Sequence, residues 1–275
     1  MEVAPTLPDL TSSVRLDGRG IVVLGAGGQG LGTATARLLA AGGATVLCVD
    51  NREDQAREVA SQVGGVPWVA DITDRAQVEA LFAHVDTLFG ERFHGVVDIV
   101  GADAHGRLED FDDATIDRLL AFNLRHAIHA IQIAGPMLAR RGRGAMAFIS
   151  SPASDMVSPG HAIYGVAKAG LNHLIRYAAE EYGPSGVRTN GVSPGLIITP
   201  KMRAAPLSSA IQQIVADIPL RRIGQPTDIA GAVYFLMSEL AAFVNGSILN
   251  VDGGYMVGSH GVPRMGRTAI TPRPA

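Results

Sequence analysis

Residues 21–39, IVVLGAGGQGLGTATARLL, decide the fold. A short β-branched apolar run leads into a loop with five glycines in residues 25–32, and a helix-forming run follows. This reads as strand, loop and helix start. Glycines let a backbone turn sharply and approach a ligand closely, and a helix N-terminus offers unpaired N–H groups and partial positive charge to a phosphate. Two registers fit. Gly25-x-Gly27-x-x-Gly30 matches the general dinucleotide fingerprint, whereas Gly30-Leu31-Gly32 places its glycines at the helix start. A glycine-rich turn with no ligand would look the same, so the loop alone does not decide.

Outward from this loop, strand-like and helix-like runs alternate. Strands are expected in IVVLG, TVLCVD, VPWVADI, GVVDIVG, GAMAFISS, VRTNGVSP and GSILNVDGG, with helices over 31–42, 52–63, 74–90, 113–140, 162–183, 207–217 and 226–240. Most strand runs are rich in Val and Ile without period-two alternation, which suits strands buried on both faces. The pattern predicts an α/β fold, a Rossmann-type doubly wound parallel sheet with helices on both faces in a single domain over 18–257. Residues 1–17 read as an N-terminal extension lying over the surface or mobile. Residues 258–275 read as a tail, disordered or laid on a neighbouring subunit.

The chain has 275 residues, 47% hydrophobic and 18% charged, with a net charge of −3. That composition supports a buried core and gives no overall basic balance for nucleic acid. The densest basic stretch, ARRGRG at 139–144, reads as a helix end and glycine stop. The single cysteine, Cys48, falls in the apolar run ATVLCVD and reads as a buried strand thiol, consistent with a cytoplasmic setting. No secretory signal and no bilayer-spanning run are expected.

The second strand ends at Asp50, about 20 residues beyond Gly30, the spacing at which a carboxylate accepts hydrogen bonds from the adenosine ribose. Asp50 would repel the extra phosphate of NADP, so NAD is expected, with Arg52 able to moderate the preference. An N-cap for the next helix would explain Asp50 equally well, and the same holds for Asp71 after the third strand. Tyr164 and Lys168 stand four apart on one face of a predicted helix. Free tyrosine, with a pKa of about 10, is a poor base at neutral pH. A nearby ammonium stabilises the phenolate, and the pair can then move a proton. Ser151 closes an apolar strand 13 positions before Tyr164, which can bring both to the carboxyl edge of the sheet, where such folds bind ligands.

With these residues assembled, the chain resembles the short-chain dehydrogenase/reductase family in its compact single-domain form. The resemblance runs from about Gly18 to Tyr255. Its blocks are the glycine loop, DIT at 71–73, FNL at 122–124, ISS at 149–151, YGVAK at 164–168, VRTNGVSPGLIITP at 187–200, PLRRIGQPTDIAGAVYFLMS at 219–238 and GSILNVDGGY at 246–255. The resemblance implies roles by position. Tyr164 is the general acid/base, and Ser151 hydrogen-bonds the substrate oxygen. Lys168 binds the nicotinamide ribose and lowers the Tyr164 pKa, and Asn123 holds a water linking Lys168 to solvent. Read without the resemblance, Asn123 is a polar residue satisfying a helix irregularity. The implied cofactor set is Gly25, Gly28, Gln29, Gly30 and Leu31 in the loop, Asp50 and Asn51 at the ribose, and Asp71 and Ile72 at the adenine. Val100 and Gly101 pass the riboses, and Pro194, Gly195, Ile197 and Thr199 cradle the nicotinamide end. The family register makes the Gly25 and Gly27 match largely coincidental.

The chain departs from the family in two places. The threonine that opens the family's loop is missing, and the usual Asn-Asn-Ala-Gly after the fourth strand is Asp98-Ile99-Val100-Gly101. Both changes touch one region, so compensation between them is expected.

The resulting expectation is hydride transfer between NAD and a secondary alcohol or ketone, with no metal. The alternatives are a β-ketoacyl carrier-protein reductase and a non-enzymatic NAD-binding regulatory protein. Asp103, His105, Pro152, Ala153, Met156, Val157, His161, Leu196 and Met202 are candidate pocket residues. Their mostly apolar character suggests a hydrophobic or alicyclic small-molecule substrate such as a steroid, terpenoid or ring alcohol. His105 and His161 read mainly as loop residues, and 201–217 as a lid. His126 and His129 read as a helix-surface or interface pair rather than a zinc site. The wide apolar surfaces of 113–140 and of the helix from 162, with the habit of the family, suggest a homotetramer; no membrane partner is expected.

Overall fold

In the computed structural model, residues 9–27, 30–204 and 206–257 are described. The elements are α1 (Leu10–Val14), β1 (Gly20–Leu24), α2 (Leu31–Ala41), β2 (Thr45–Asp50), α3 (Glu53–Val63), β3 (Val66–Val69), α4 (Arg75–Phe89), β4 (Phe93–Asp98), α5 (Asp113–Leu120), α6 (His126–Arg140), β5 (Gly144–Ile149), α7 (Ala162–Tyr182), β6 (Val187–Pro194), α8 (Pro200–Arg203), α9 (Ser209–Asp217), α10 (Pro226–Met237) and β7 (Ile248–Val251).

The described strands form one sheet in the order β3-β2-β1-β4-β5-β6-β7, every neighbouring pair parallel. The order reverses at β1, so β1 and β4 flank the crevice where open α/β sheets bind ligands. Parallel pairing aligns Leu24, Asp50, Asp98, Ile149 and Pro194 at one edge. The apolar strands feed two cores by alternation. Val22, Leu24, Leu47 and Val49 pack with side chains of α4, α6 and α7. Ile21, Val23, Val46 and Cys48 face the opposite layer with those of α2, α3 and α10. Both strand faces are covered, which explains the unbroken apolar runs. Cys48 is fully buried, and burial pushes its thiol up to about 12.

Three features differ from the expectation. The stretch 113–140 is not one helix: a π turn over Ala121–Arg125 separates α5 from α6. The chain before β1 does more than lie on the surface, because Leu16 is fully buried in the α2–α10 core and the Val14 carbonyl accepts a hydrogen bond from the Tyr234 hydroxyl. The expected lid contains two short helices, α8 and α9, rather than one. The ARRGRG stretch does end a helix: Arg141 donates to Met137 O, Gly90 O and Asp86, and Gly142 turns the chain at φ +67°. Residues 258–275, read as a tail, lie outside the described residues.

Candidate active site

The turn out of β1 is held by backbone bonds, with Gly25 N and Ala26 N both donating to Val49 O. Gly25 sits at φ +76°, where a side chain is strained. The two registers make different steric demands. A Cβ on Gly32 would fall 2.1 Å from Gly25 O, whereas a Cβ on Gly30 would meet nothing within 4 Å. The glycine that lets α2 pack tightly against the end of β1 is therefore Gly32, as the family register requires. Gly25 and Gly27 are not coincidental, however. Gly25 makes the left-handed turn, and a Cβ on Gly27 would lie 2.4 Å from Asp50 Oδ2. Leu31 opens α2, with Gly30 at its N-cap. Gly28 and Gln29 lie outside the described residues.

Asp50 closes β2 and ties the glycine loop to the start of α3. Its Oδ2 accepts from Gly27 N at 3.0 Å and its Oδ1 from Arg52 N at 3.0 Å. Each carboxylate oxygen keeps a further lone pair for a hydroxyl. Arg52 pairs with Asp54 at 2.6 Å. A cavity of about 310 Å³ opens here, and its lining includes Gly25, Asp50, Asn51, Asp71, Ile72, Val100 and Gly101. Seven residues proposed from different parts of the chain thus converge on one cavity, and its glycine floor and carboxylate end suit an adenosine moiety. Asp71 is not a helix cap. It accepts from Thr73 N and Thr73 Oγ1, and Asp74 caps α4 instead.

Pro194, Gly195, Ile197 and Thr199 follow β6 at the same edge. Gly195 N donates to Val251 O, and Ile197 bridges to Gly224. Thr199 Oγ1 accepts from Met202 N at the start of α8.

Ser151 follows β5 and is nearly buried, its Oγ accepting from Ala153 N. Behind it, Ser150 Oγ donates to Asn172 Oδ1 and Asn172 Nδ2 donates to Ser154 Oγ, which ties this loop to α7. Lys168, 1% exposed, donates from Nζ to Ile149 O at 2.8 Å and stands 5.8 Å from the Tyr164 ring centroid. Burial brings the Lys168 ammonium down to about 8, and the charge of Asp98 opposes that fall. The Tyr164 phenol is raised above its ordinary value, first by burial and also by Asp103, while a hydrogen bond with Ser151 opposes the rise. Sequence reasoning gave Lys168 the task of lowering it; in this structure burial has the largest effect, in the other direction.

Asn123 sits in the π turn. Its Nδ2 donates to Leu119 O at 2.9 Å, so the side chain occupies a carbonyl at the end of α5, just before the irregular turn. It also brackets Ala102, donating to Ala102 O at 2.6 Å and accepting from Ala102 N at 3.2 Å. A Cβ on Gly101 would lie 3.1 Å from Asn123 Oδ1 and 3.6 Å from Lys168 Nζ. The loop after β4 therefore runs across both residues.

Two histidines were misread. His126 is not on a surface: it is 1% exposed, and its Nε2 lies 2.9 Å from Oδ2 of Asp98, itself 2% exposed. The contact is a close approach rather than a linear hydrogen bond, since Asp98 Oδ2 has no aligned donor. The Asp98 substitution is thus met by His126 rather than by the glycine loop, which joins β4 through Ile99 N donating to Leu24 O. His161 is more than a loop residue, because its Nδ1 lies 2.9–3.0 Å from both Asp103 oxygens. Its ring also meets that of His105 edge-on at 5.0 Å.

The family model described as Enoyl-(Acyl carrier protein) reductase matches residues 25–256. The 7alpha-hydroxysteroid dehydrogenase of Escherichia coli (strain K12) is 32% identical over 252 residues, covering 89% of this chain and 96% of its own. The structure of 7 alpha-hydroxysteroid dehydrogenase complexed with NADH and 7-oxo glycochenodeoxycholic acid aligns with a TM-score of 0.83 at 31% identity, over 90% of this chain and 98% of that one. A gluconate 5-dehydrogenase from Burkholderia cenocepacia J2315 in complex with NADP and tartrate aligns at 0.84 and 28% identity, over 91% of this chain and 100% of that one.

Proposed function

The chain belongs to the short-chain dehydrogenase/reductase family, and from its site we propose that it interconverts a secondary alcohol and its ketone using NAD. The observation that carries the reading is the meeting, at one sheet edge, of Ser151, Tyr164 and Lys168 with the cavity that ends at Asp50. A nicotinamide cofactor, when bound, supplies the hydride acceptor or donor.

The remaining work falls to the chain's own residues. Tyr164 takes the hydroxyl proton on oxidation and returns it on reduction. Ser151 Oγ binds the substrate oxygen and holds it against the phenol. The Lys168 ammonium stabilises the phenolate as it forms. Asn123, bound to Ala102 and Leu119, holds the loop that runs across Lys168. NAD rather than NADP is supported by Asp50 at the ribose position and by Arg52, whose guanidinium is committed to Asp54. A cytoplasmic location follows from dependence on the intracellular pool of that cofactor.

The half-buried apolar residues Pro152, Ala153, Met156, Leu196 and Met202 support a ring alcohol as substrate, with the Asp103–His161 pair offering one polar contact. The lid reading of 201–217 is supported by α9, none of whose residues is buried. A homotetramer is supported by exposed apolar residues on α7, where Val166 is 65% and Tyr177 63% exposed. A monomer in sedimentation analysis would refute it.

The test is turnover of a panel of secondary alcohols by the purified enzyme with NAD and with NADP, beside Tyr164→Phe. NAD-linked turnover that disappears in the variant is expected. Turnover with NADP alone would overturn the argument from Asp50, and undiminished turnover in the variant would overturn the assignment of the base.

A further inference from the structure

Asp98 and His126 form a buried carboxylate–imidazole pair that the proposed reaction does not use. Asp98 closes β4, paired in register with Phe148 of β5, and the next carbonyl along β5, Ile149 O, is the one that holds Lys168 Nζ. One Asp98 oxygen accepts from Val100 N at 3.0 Å and the other lies against His126. On the far side of the imidazole, Nδ1 faces Ala121 O at 3.2 Å, inside the π turn. Both ring nitrogens therefore lie close to oxygen atoms. The charged and titratable groups of this corner come from three elements and one loop. They are Asp98 of β4, His126 of α6, Tyr164 and Lys168 of α7, and Asp103 of the loop after β4, which acts on Tyr164. The π turn and β5 add Asn123, Ile149 O and Ser151, which do not titrate in this range.

We propose that Asp98 is a positioning residue that serves as the buried counter-charge of Lys168, with His126 holding its carboxylate in place. A carboxylate in a dry corner stabilises an ammonium that burial alone would discharge. Lys168 thereby keeps its charge to higher pH than it would beside a neutral residue. The asparagine usual in the family at this position carries no such charge, so Asp98→Asn isolates the effect with little change of shape.

Lys168 and Lys201 are the only lysines in the chain. The protein labelled with ¹³C at lysine Cε therefore gives two signals, and Lys201 serves as internal reference. The experiment titrates Lys168 by NMR in the full-length, cofactor-free protein, in wild type, Asp98→Asn and His126→Gln. The Lys168 midpoint is expected to fall by about half a pH unit or more in Asp98→Asn. In His126→Gln it is expected not to fall, since the carboxylate is kept. The limb of the kcat/KM pH profile that follows Lys168 is expected to move the same way in Asp98→Asn, to lower pH.

An unchanged midpoint in Asp98→Asn would overturn the proposal. So would an equal fall in His126→Gln, which would trace the shift to a loosened corner rather than to charge. If Asp98→Asn does not fold, His126→Gln decides by direction: no change or a rise supports the pair, and a fall overturns it. The inference takes Lys168 as part of the site proposed above, but the titration needs no turnover. A protein that oxidises no alcohol would end the functional reading and leave this one to the NMR midpoint.

Discussion

The two halves of the proposed cofactor and catalytic site are built by different means. On the nicotinamide side, Ser151, Tyr164 and Lys168 follow the family pattern, and each is fixed by a short local device. Ser151 accepts from Ala153 N, Lys168 reaches back to Ile149 O, and Tyr164 shares the α7 face with Lys168. On the adenosine side, the loop lacks its threonine and β4 ends in Asp98. Order there comes from contacts distant in sequence: Gly27 with Asp50, Leu24 with Ile99, and Asp98 with His126. Chemistry that depends on reacting atoms leaves little freedom in residue type. A loop that presents backbone can be held in more than one way, provided each buried polar group finds a partner.

The largest effect should come from breaking the chemical half. Tyr164→Phe removes the proton acceptor and is expected to lower kcat by about 10²–10⁴, with the KM for cofactor little changed in steady-state kinetics. Next is the end of the adenosine half. Asp50→Ser should raise the NADP-to-NAD ratio of kcat/KM by roughly tenfold or more, through loss of ribose hydrogen bonds and of repulsion toward the extra phosphate. A ratio that does not move would remove Asp50 from cofactor choice.

A paired substitution sharpens the register. Gly32→Ala forces a Cβ into Gly25 O and should destabilise the cofactor-free protein by about 1–3 kcal/mol. Gly30→Ala has open space, so its effect on thermal unfolding without cofactor should be much smaller. Equal losses would put the tight packing elsewhere.

The smallest effect is on stability and runs against activity. Lys168 falls to about 8 in the folded chain from 10.5. Between these values the unfolded chain holds more protons, so stability rises with pH over roughly pH 8 to 10.5 and the buried charge is a cost at pH 7. Lys168→Met should therefore unfold at a higher temperature, with a gain on the order of 1–3 kcal/mol, while losing turnover. A lower Tm would mean that the ammonium's contacts outweigh its desolvation.

Much of this was legible in the sequence. The apolar strand runs showed the parallel sheet because both faces of each are covered. The glycine loop, Asp50 and the 164–168 spacing pointed to the proposed site because each is a local pattern tied to one geometry. What escaped depended on contacts that spacing does not encode. His126 stands three residues from His129 on an apparent helix and 28 from Asp98, and only the β4–α6 packing brings it to the carboxylate. The π turn was hidden because one extra residue in a turn leaves the apolar pattern on both sides intact. Asn123, read as answering a helix irregularity, stands in that turn and bonds Leu119 O at the end of α5. Leu16 entered the core from a stretch whose composition resembles a tail. His161 lies 58 positions from its partner Asp103.

The most direct test of the account follows the hydride itself. A ring secondary alcohol carrying deuterium at the carbinol carbon is oxidised by the enzyme with NAD, and the reduced cofactor is weighed by mass spectrometry. The account predicts one deuterium in the cofactor per ketone formed, at a rate lost in Tyr164→Phe. Ketone formed with no deuterium in the cofactor, or deuterium transfer undiminished in the variant, would contradict it.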